Sequence, residues 1–194
     1  MIEFLNGKLV EKTPTYIVIE CHGLGYFVNI SLHTYSRIEE LENCKVFTHL
    51  SIKEDAHTLY GFSEIEERKL FRDLISVSGI GANTARMMLS SLSPAEIQQA
   101  IVQGNHVLLQ SIKGIGNKTA QRVIIDLKDK LTKKDGALLL NLPSNNKMKE
   151  EALSALLTLG FPRNTIEKTL ELLTKQAGEI QNIEQLIKLA LKNM

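Results

Sequence analysis

The sequence predicts an α+β protein of several domains: a small β-barrel, a central helical domain and a C-terminal bundle of three helices. Residues 1–62 are rich in β-branched and aromatic residues and contain no long helical pattern. Residues 63–134 carry apolar residues at helical spacing and contain one stretch twice. Residues 148–194 carry further apolar stripes at helical spacing, which start near Ile166 and Ile183.

Short strands account for the N-terminal segment. The segments with the highest β propensity are 16–21, 26–30, 45–52 and 57–62. Glycines predict a break at 23–25 between the first two of them. Five or six short strands without a long helix predict a small closed barrel of the OB type.

The connection between the last two predicted strands is short and acidic. Residues 53–56 read Lys-Glu-Asp-Ala, and a tight hairpin would place Glu54 and Asp55 at its tip. Acidic residues are common in solvated turns, so the spacing by itself gives these two carboxylates no role.

The central domain contains an internal repeat. LISVSGIGANTARMML at 74–89 and LQSIKGIGNKTAQRVI at 109–124 agree at seven of sixteen positions at an offset of 35. Each copy predicts the end of one helix, a Gly-Ile-Gly turn and the start of a second helix. The glycines allow positive φ and a close backbone approach, and the isoleucine between them can enter the core. The second helix begins with unpaired N–H groups and a positive dipole end, which suits an anion.

Cations surround the second turn. Lys113 precedes it, and Lys118 and Arg122 lie one helical turn apart after it. The combination resembles the helix-hairpin-helix motif, which holds nucleic-acid backbone without reading sequence. No G-x-x-x-x-G-K-[ST] run is present, so a nucleotide-binding loop is disfavoured. The predicted backbone-binding residues are Gly79, Gly81, Asn83, Thr84, Lys113, Gly114, Gly116, Asn117, Lys118, Thr119 and Arg122.

Capping residues divide the central domain into five helices. The predicted N-terminal caps are Ser63 with Glu66, Ser93 with Glu96, and Asn105. Two hairpin units joined by one helix would form a compact module whose pseudo-twofold arrangement sets one hairpin on each strand of a duplex.

The charge distribution agrees with DNA binding in the centre of the chain. The net charge of the whole chain is only +1. Residues 63–134 have 11 Lys+Arg and 7 Asp+Glu, a net of +4, whereas residues 1–62 have a net of −3 and residues 135–194 a net of 0. The cationic surplus therefore coincides with the repeat.

Composition predicts a cytoplasmic protein without membrane contact. No apolar run reaches the ~18 residues of a membrane span, and the N-terminus lacks a signal-peptide pattern. Cys21, Cys44 and the five histidines show no metal-ligand spacing. We expect reduced thiols, no metal and no cofactor.

The C-terminal part is predicted to be separate from the rest. Residues 135–147 have Gly, Pro, Ser and Asn without a period and are interpreted as a flexible linker. Residues 148–194, with a Gly-Phe-Pro break at 160–162, resemble the ubiquitin-associated type of three-helix bundle. This bundle has no basic excess, so we expect a protein partner rather than DNA.

The whole chain resembles the RuvA family, the DNA-binding subunits of the bacterial Holliday-junction branch-migration machine. The segments that carry the resemblance are MIEFLNGKLVEK, GLGYFV, FTHLSIKEDAHTLYGF, ERKLFRDLISVSGIG and GIGNKTAQRVIIDLKDKL. The resemblance implies four subunits in a flat square that holds an open four-way junction. It also implies that Glu54 and Asp55 form an acidic pin at the centre of that square, where their carboxylates repel phosphates and oppose plain duplex.

The resemblance implies partners as well. Residues 148–194 would bind the hexameric ATPase RuvB, and the RuvC resolvase would join in the resolving complex. One homotetramer, or two tetramers face to face as an octamer, would hold the DNA during recombination and repair, including the SOS response. The sequence has no ATP-binding motif, so the motor is expected in another chain and no catalytic residue is expected in this one.

Each hairpin departs from the family pattern at one position. The first reads GIGANTA, with Asn83 where relatives commonly have lysine, and the second reads GIGNKTA, with Asn117 in place of a cation. Asparagine can donate a hydrogen bond to phosphate but carries no charge, so we expect weaker or less salt-dependent binding than in more basic relatives.

Two other function classes compete with this interpretation. A helix-hairpin-helix DNA glycosylase would use a catalytic lysine, which Lys118 could supply, and a downstream aspartate such as Asp126, Asp129 or Asp135. The Val-Asp-Thr-His run of those enzymes, a four-cysteine cluster and tryptophan are all absent from the sequence. A binding module of a repair nuclease rests on fold analogy alone and would lack the acidic hairpin and the tetramer.

Overall fold

The computed structural model describes residues 2–38, 42–138, 144–176 and 182–193. The chain divides into two compact units, residues 1–134 and 135–194. The first unit holds a β-barrel and a helical module, each with its own buried core, and the second holds a helical bundle. No helix within the described ranges is long and apolar enough to cross a membrane.

In the described part of the first unit, five strands close into a barrel. They are β1 (Phe4–Lys12), β2 (Tyr16–Cys21), β3 (Leu24–Ile30), β4 (Asn43–Ile52) and β5 (His57–Phe62). The order around the barrel is β1-β2-β3-β5-β4, and β4 pairs back to β1. β3 and β5 run parallel, whereas the other neighbouring pairs are antiparallel. The predicted OB-type barrel is confirmed.

Alternate side chains of the strands fill the barrel interior, as the period of two requires. In β2, Ile17 and Ile19 are fully buried. The buried core of the barrel consists of Leu5, Ile17, Ile19, Val28, Ile30, Ile38 and Val46.

The turn between β2 and β3 lies earlier than the predicted break at 23–25. Cys21 pairs with Leu24, so the loop is His22-Gly23 alone. Both loop residues have positive φ, 52° at His22 and 85° at Gly23. This is the type I′ geometry that matches strand twist in a two-residue hairpin, and Gly25 is left free to pair with Glu20 inside the sheet.

Six helices follow or interrupt the strands in the first unit as described. They are α1 (Leu32–Arg37), α2 (Ile65–Ile75), α3 (Ala82–Ser91), α4 (Pro94–Gln103), α5 (His106–Gln110) and α6 (Asn117–Leu138). Helices α2 to α6 form the predicted module of two hairpins joined by one helix. The short helix α1 was not predicted.

Two of the three predicted caps are confirmed. Ser93 Oγ accepts from the Glu96 N–H while the Glu96 carboxylate accepts from the Ser93 N–H, and Asn105 Oδ1 accepts from the Leu108 N–H. The capping box predicted at Ser63 is wrong. Helix α2 starts one residue later, after Glu64, with no side-chain cap. The Ser63 N–H donates instead to Thr34 Oγ1 at 3.3 Å, so contact with α1 holds the chain at this point.

The barrel and the helical module are packed together through β5. Tyr60 and Phe62 belong to the buried core of the helices rather than to the barrel interior. Their ring centroids lie 5.2 and 4.9 Å from that of Phe71 on α2. The strand that leaves the acidic hairpin is therefore anchored in the core of the helical module.

The second unit contains three described helices, as predicted. They are α7 (Ser144–Thr158), α8 (Arg163–Gln176) and α9 (Ile183–Lys192). Ala152, Leu156, Ile166, Leu170, Leu186 and Ala190 form its buried core. Gly160, with φ of 93°, ends α7. The linker predicted at 135–147 is helical at both described ends, because α6 continues to Leu138 and α7 begins at Ser144. Residues 139–143 lie outside the described residues.

Candidate nucleic-acid interface

The two copies of the repeat form the same backbone turn. In each copy the isoleucine between the glycines closes the turn, and an alanine makes the first backbone bond of the helix that follows. The matching bonds are Ile80 N–H to Val77 O and Ile115 N–H to Ile112 O, at 3.1 Å each, and Ala85 N–H to Gly81 O and Ala120 N–H to Gly116 O, at 2.9 Å each. As predicted, Ile80 and Ile115 enter the core and are 5% exposed.

The two glycines of each turn differ in backbone conformation. Gly79 and Gly114 have φ of 95° and 92°, a conformation that L side chains rarely adopt. Gly81 and Gly116 do not have positive φ. An added Cβ at any of the four would meet no described atom within 4 Å. At Gly81 and Gly116, neither backbone conformation nor crowding within the described chain requires glycine, so the space beside them is open to a molecule from outside.

Each turn leads directly into a helix N-terminus. Gly81 is the N-cap of α3 and provides no side-chain acceptor for the first N–H groups. Helix α6 begins in the same way after Gly116. Helix N–H groups without an acceptor and the positive end of the helix dipole favour an anion at this position. Thr84 and Thr119 are half-buried in the first turns of these helices.

Basic side chains without a described ion-pair partner surround the second turn. Lys113, Lys118 and Arg122 are exposed and form no ion pair with any described residue. A groove of about 440 Å³ runs from the first turn to the start of α6. It is lined by Ser78, Gly79, Lys118, Thr119, Gln121, Arg122, Ile125 and Asp126. The fold thus brings the glycine turn of one copy beside the cations of the other.

Other cations of the helical module are paired within the protein. The Arg68 guanidinium lies 2.5 Å from Glu3, and that of Arg72 lies 3.7 Å from the same carboxylate. The hydrogen bond from Arg68 holds the pKa of Glu3 below its ordinary value. Lys130 pairs with Asp73. Arg68, Arg72 and Lys130 are therefore engaged within the protein, whereas Lys113, Lys118 and Arg122 at the second hairpin have no described ion-pair partner.

The first hairpin has no lysine at the matching position. At the offset of 35, Asn83 occupies the place of Lys118. Tyr60 Oη donates to Asn83 Oδ1 at 3.1 Å, so the amide is tied to β5 although its residue is exposed. Asn117, the other departure from the basic pattern, is exposed.

The acidic hairpin has the predicted geometry. Ile52 pairs with His57, and the Lys53 N–H donates to Ala56 O at 2.9 Å. Glu54 and Asp55 lie at the tip and are exposed. Neither carboxylate has a hydrogen-bond or ion-pair partner among the described residues. The described residues also contain no group of three or more His, Cys, Asp or Glu that could hold a metal ion.

Three family profiles match successive parts of the chain. RuvA N terminal domain matches residues 1–61, SAM-like Helix-hairpin-helix tandem matches residues 71–129, and RuvA, C-terminal domain matches residues 147–194. Proteins named Holliday junction branch migration complex subunit RuvA are similar over their full length. The one from Christiangramia forsetii is 55% identical over 194 residues, with 100% of each chain covered. Those from Flavobacterium psychrophilum and Bacteroides fragilis are 53% and 48% identical, again with 100% of each chain covered.

The chain belongs to the RuvA family. The match extends through all three predicted parts, so the predicted fold class and the resemblance are confirmed. Membership in the RuvA family favours the first of the three function classes over a glycosylase or a nuclease module.

Sequence reasoning missed part of the interface. Ser78, Gln121 and Ile125 line the groove but lie outside the Gly-Ile-Gly pattern. The repeat gave a usable signal for Ser78, since the same offset places it opposite Lys113. No local signal pointed to Tyr60, because its contact with Asn83 joins a strand to a helix 23 residues away.

Proposed function

We propose that the chain binds four-way DNA junctions according to their structure, as a homotetramer that holds the arms open and square. The observation that carries the proposal is the pair of identical turns whose second glycines, Gly81 and Gly116, leave open space that the described chain itself does not need. Relatives 44–55% identical are named as subunits of a Holliday junction branch migration complex, which supports the same conclusion.

The hairpins would hold the sugar-phosphate backbone of each arm. Backbone N–H groups at the starts of α3 and α6 are suited to phosphate oxygens, and Lys118 and Arg122 add charge beside them. The first turn and the start of α6 line one groove, and we propose that the two hairpins of one subunit contact the two strands of an arm. Contacts of this kind fix position and carry no base sequence.

The acidic hairpin would act at the crossover. Glu54 and Asp55 are exposed at the end of a hairpin that is anchored through Tyr60 and Phe62. Carboxylates held near phosphates are repelled by them, more strongly where water is partly excluded. We propose that they keep the strands apart at the centre and make continuous duplex an unfavourable ligand.

The C-terminal bundle would bind the motor. We propose that residues 148–194 recruit RuvB, that the ATPase resides there, and that this chain is a non-catalytic subunit. Residues 135–194 have no net charge, and several leucines of the described bundle are exposed, which suits a protein partner. They are Leu157, Leu159, Leu172, Leu189 and Leu191. RuvC is proposed as a further partner, and a second tetramer, giving an octamer, as an alternative assembly on the DNA.

The proposed domain limits follow from these separate roles. We propose a barrel with the acidic pin at 1–62, a DNA-binding module at 63–134 and a RuvB-binding bundle at 148–194. An activity on chromosomal junctions would take place in the bacterial cytoplasm.

A gel-shift titration of the full chain tests the proposal. It compares a four-way junction with a linear duplex of the same sequence, beside a native mass measurement of the complex. We expect preferential binding to the junction by an assembly of four or eight subunits. Equal affinity for both ligands, or a bound monomer, would contradict it.

A further inference from the structure

The contact between Tyr60 and Asn83 joins the first hairpin to the strand that leaves the acidic hairpin. Tyr60 is only 5% exposed, and its ring packs against Phe71. Burial raises the pKa of the Tyr60 hydroxyl, which stays a donor at neutral pH. The hydroxyl O–H donates to Asn83 Oδ1 at 3.1 Å. The hydroxyl therefore has a fixed position from which to orient the Asn83 amide.

The orientation of that amide decides which group faces outward. A side-chain amide has one acceptor oxygen and two N–H donors. With Oδ1 directed to Tyr60, Nδ2 is the remaining polar group, and it makes no hydrogen bond to any described residue. Asn83 is the second residue of α3, so this donor stands beside the free backbone N–H groups that follow Gly81.

Helix α3 is held on the barrel by a second side chain one turn further on. Arg86 Nη1 donates to Thr15 O at 3.0 Å and to Asn29 Oδ1 at 3.1 Å. At the offset of 35 the second copy has Gln121 in place of Arg86. The first hairpin is thus fixed to the barrel by two side chains, whereas the second presents the exposed ammonium group of Lys118, which has no described ion-pair partner.

We infer that Tyr60 is a positioning residue for DNA binding: it orients the Asn83 amide so that Nδ2 donates to a phosphate held at the first turn. This inference rests on the proposed function and deepens it. The two hairpins then use different chemistry. The second attracts phosphate by charge, whereas the first uses a neutral donor whose direction is set by the barrel.

The test is a double-mutant cycle on the full chain. Junction affinity is measured by fluorescence anisotropy across a salt series. The variants are Tyr60→Phe, Asn83→Lys, Asn83→Ala and the two double variants that combine Tyr60→Phe with each change at Asn83. Tyr60→Phe should weaken binding by at least about threefold when Asn83 is present, the range expected for one hydrogen bond. It should have no effect beside Asn83→Ala or Asn83→Lys, since neither side chain accepts from the hydroxyl.

The salt series separates orientation from charge. Tyr60→Phe should leave the slope of log affinity against log salt unchanged, because no charge is lost. Asn83→Lys should steepen it by about one for each added phosphate contact. Tyr16→Phe is the matched control, since it removes a barrel hydroxyl that donates to Glu11 at 2.6 Å, and it should leave affinity unchanged.

The outcomes distinguish the inference from the proposed function. Equal losses from Tyr60→Phe in all three backgrounds would show that Tyr60 acts through packing in the core of the helical module alone and would overturn the inference. Normal binding by Tyr60→Phe in the native background would also overturn it, with the proposed function intact. Failure of the unmodified chain to bind either DNA would contradict the proposed function itself.

Discussion

The carboxyl group of Glu67 on α2 accepts a hydrogen bond from Ser31 Oγ at 2.5 Å, across the boundary between barrel and helices. Thr34 Oγ1 donates to the other carboxyl oxygen at 2.6 Å. Glu67 is fully buried, and Ser31 is also the N-cap of α1. One side chain therefore fixes the unpredicted helix α1 to the helical module.

We expect Glu67→Ala to destabilise the chain strongly. It would leave two buried hydroxyls without their acceptor and create a cavity, at a cost of about 2–4 kcal/mol. Glu67→Gln keeps one acceptor oxygen and should cost less. The free energy of unfolding in urea measures both, and Glu66→Ala, at an exposed neighbour, is the control. Equal, small effects of all three changes would contradict this role.

Neutralising the acidic hairpin should alter discrimination rather than junction affinity. With Glu54→Gln and Asp55→Asn together, we expect unchanged binding to a four-way junction and tighter binding to linear duplex, because the repulsion of phosphate is removed. The control changes Glu66 and Glu151 to Gln, which alters net charge equally at exposed sites elsewhere. If the control tightens duplex binding as much, net charge rather than the hairpin is responsible.

His49 should make the barrel sensitive to mild acid. Burial, and then the charges of Arg72 and Arg68, lower its pKa below the ordinary value of 6.5. Between the folded and unfolded pKa values the unfolded chain binds more protons, so stability rises with pH in that window and is lost on acidification. His49→Gln should flatten the dependence of the melting temperature on pH just below 6.5. An unchanged profile would assign the acid sensitivity to other groups.

The RuvB contact proposed for the bundle should be separable from DNA binding. Leu159→Ser and Leu172→Ser change leucines that are 59% and 57% exposed, so the fold should tolerate them. We expect normal junction binding by these variants. We also expect them to stimulate RuvB-driven branch migration less than the unmodified chain does, as measured with a labelled junction. Lys168→Ser, at an exposed position on α8, is the control. Full stimulation by both leucine variants would contradict the proposal that RuvB binds at these side chains.

Local patterns predicted much of this structure. The repeat, the Ser93 and Asn105 caps and the acidic hairpin each depend on residues within a few positions of one another. Two errors, the cap at Ser63 and the missed helix α1, involve contacts between residues distant in the sequence. Ser63 is not the cap of α2, and its N–H donates to Thr34, 29 residues earlier.

In the candidate site, too, the local features could be predicted from the sequence and the long-range contacts could not. The four glycines could be found from the sequence, since a repeated Gly-Ile-Gly turn needs no knowledge of the fold. The orientation of Asn83 could not be found, because Tyr60 reaches it only after β5 has packed against the helices. The difference between Gly79, which needs positive φ, and Gly81, which does not, also required the backbone itself.

The second glycines give the most direct test of the central claim, that the paired turns hold DNA backbone. Gly81→Ala with Gly116→Ala should change the free energy of unfolding by less than about 1 kcal/mol, because lost N-cap preference and reduced chain entropy oppose each other. Gly104→Ala, at a helix end with φ of 72°, should instead destabilise the fold and leave junction affinity intact. We predict that the double variant loses junction affinity by about tenfold or more, as expected when bonds to charged phosphate are lengthened. A double variant that folds normally and binds the four-way junction as tightly as the unmodified chain would contradict the account.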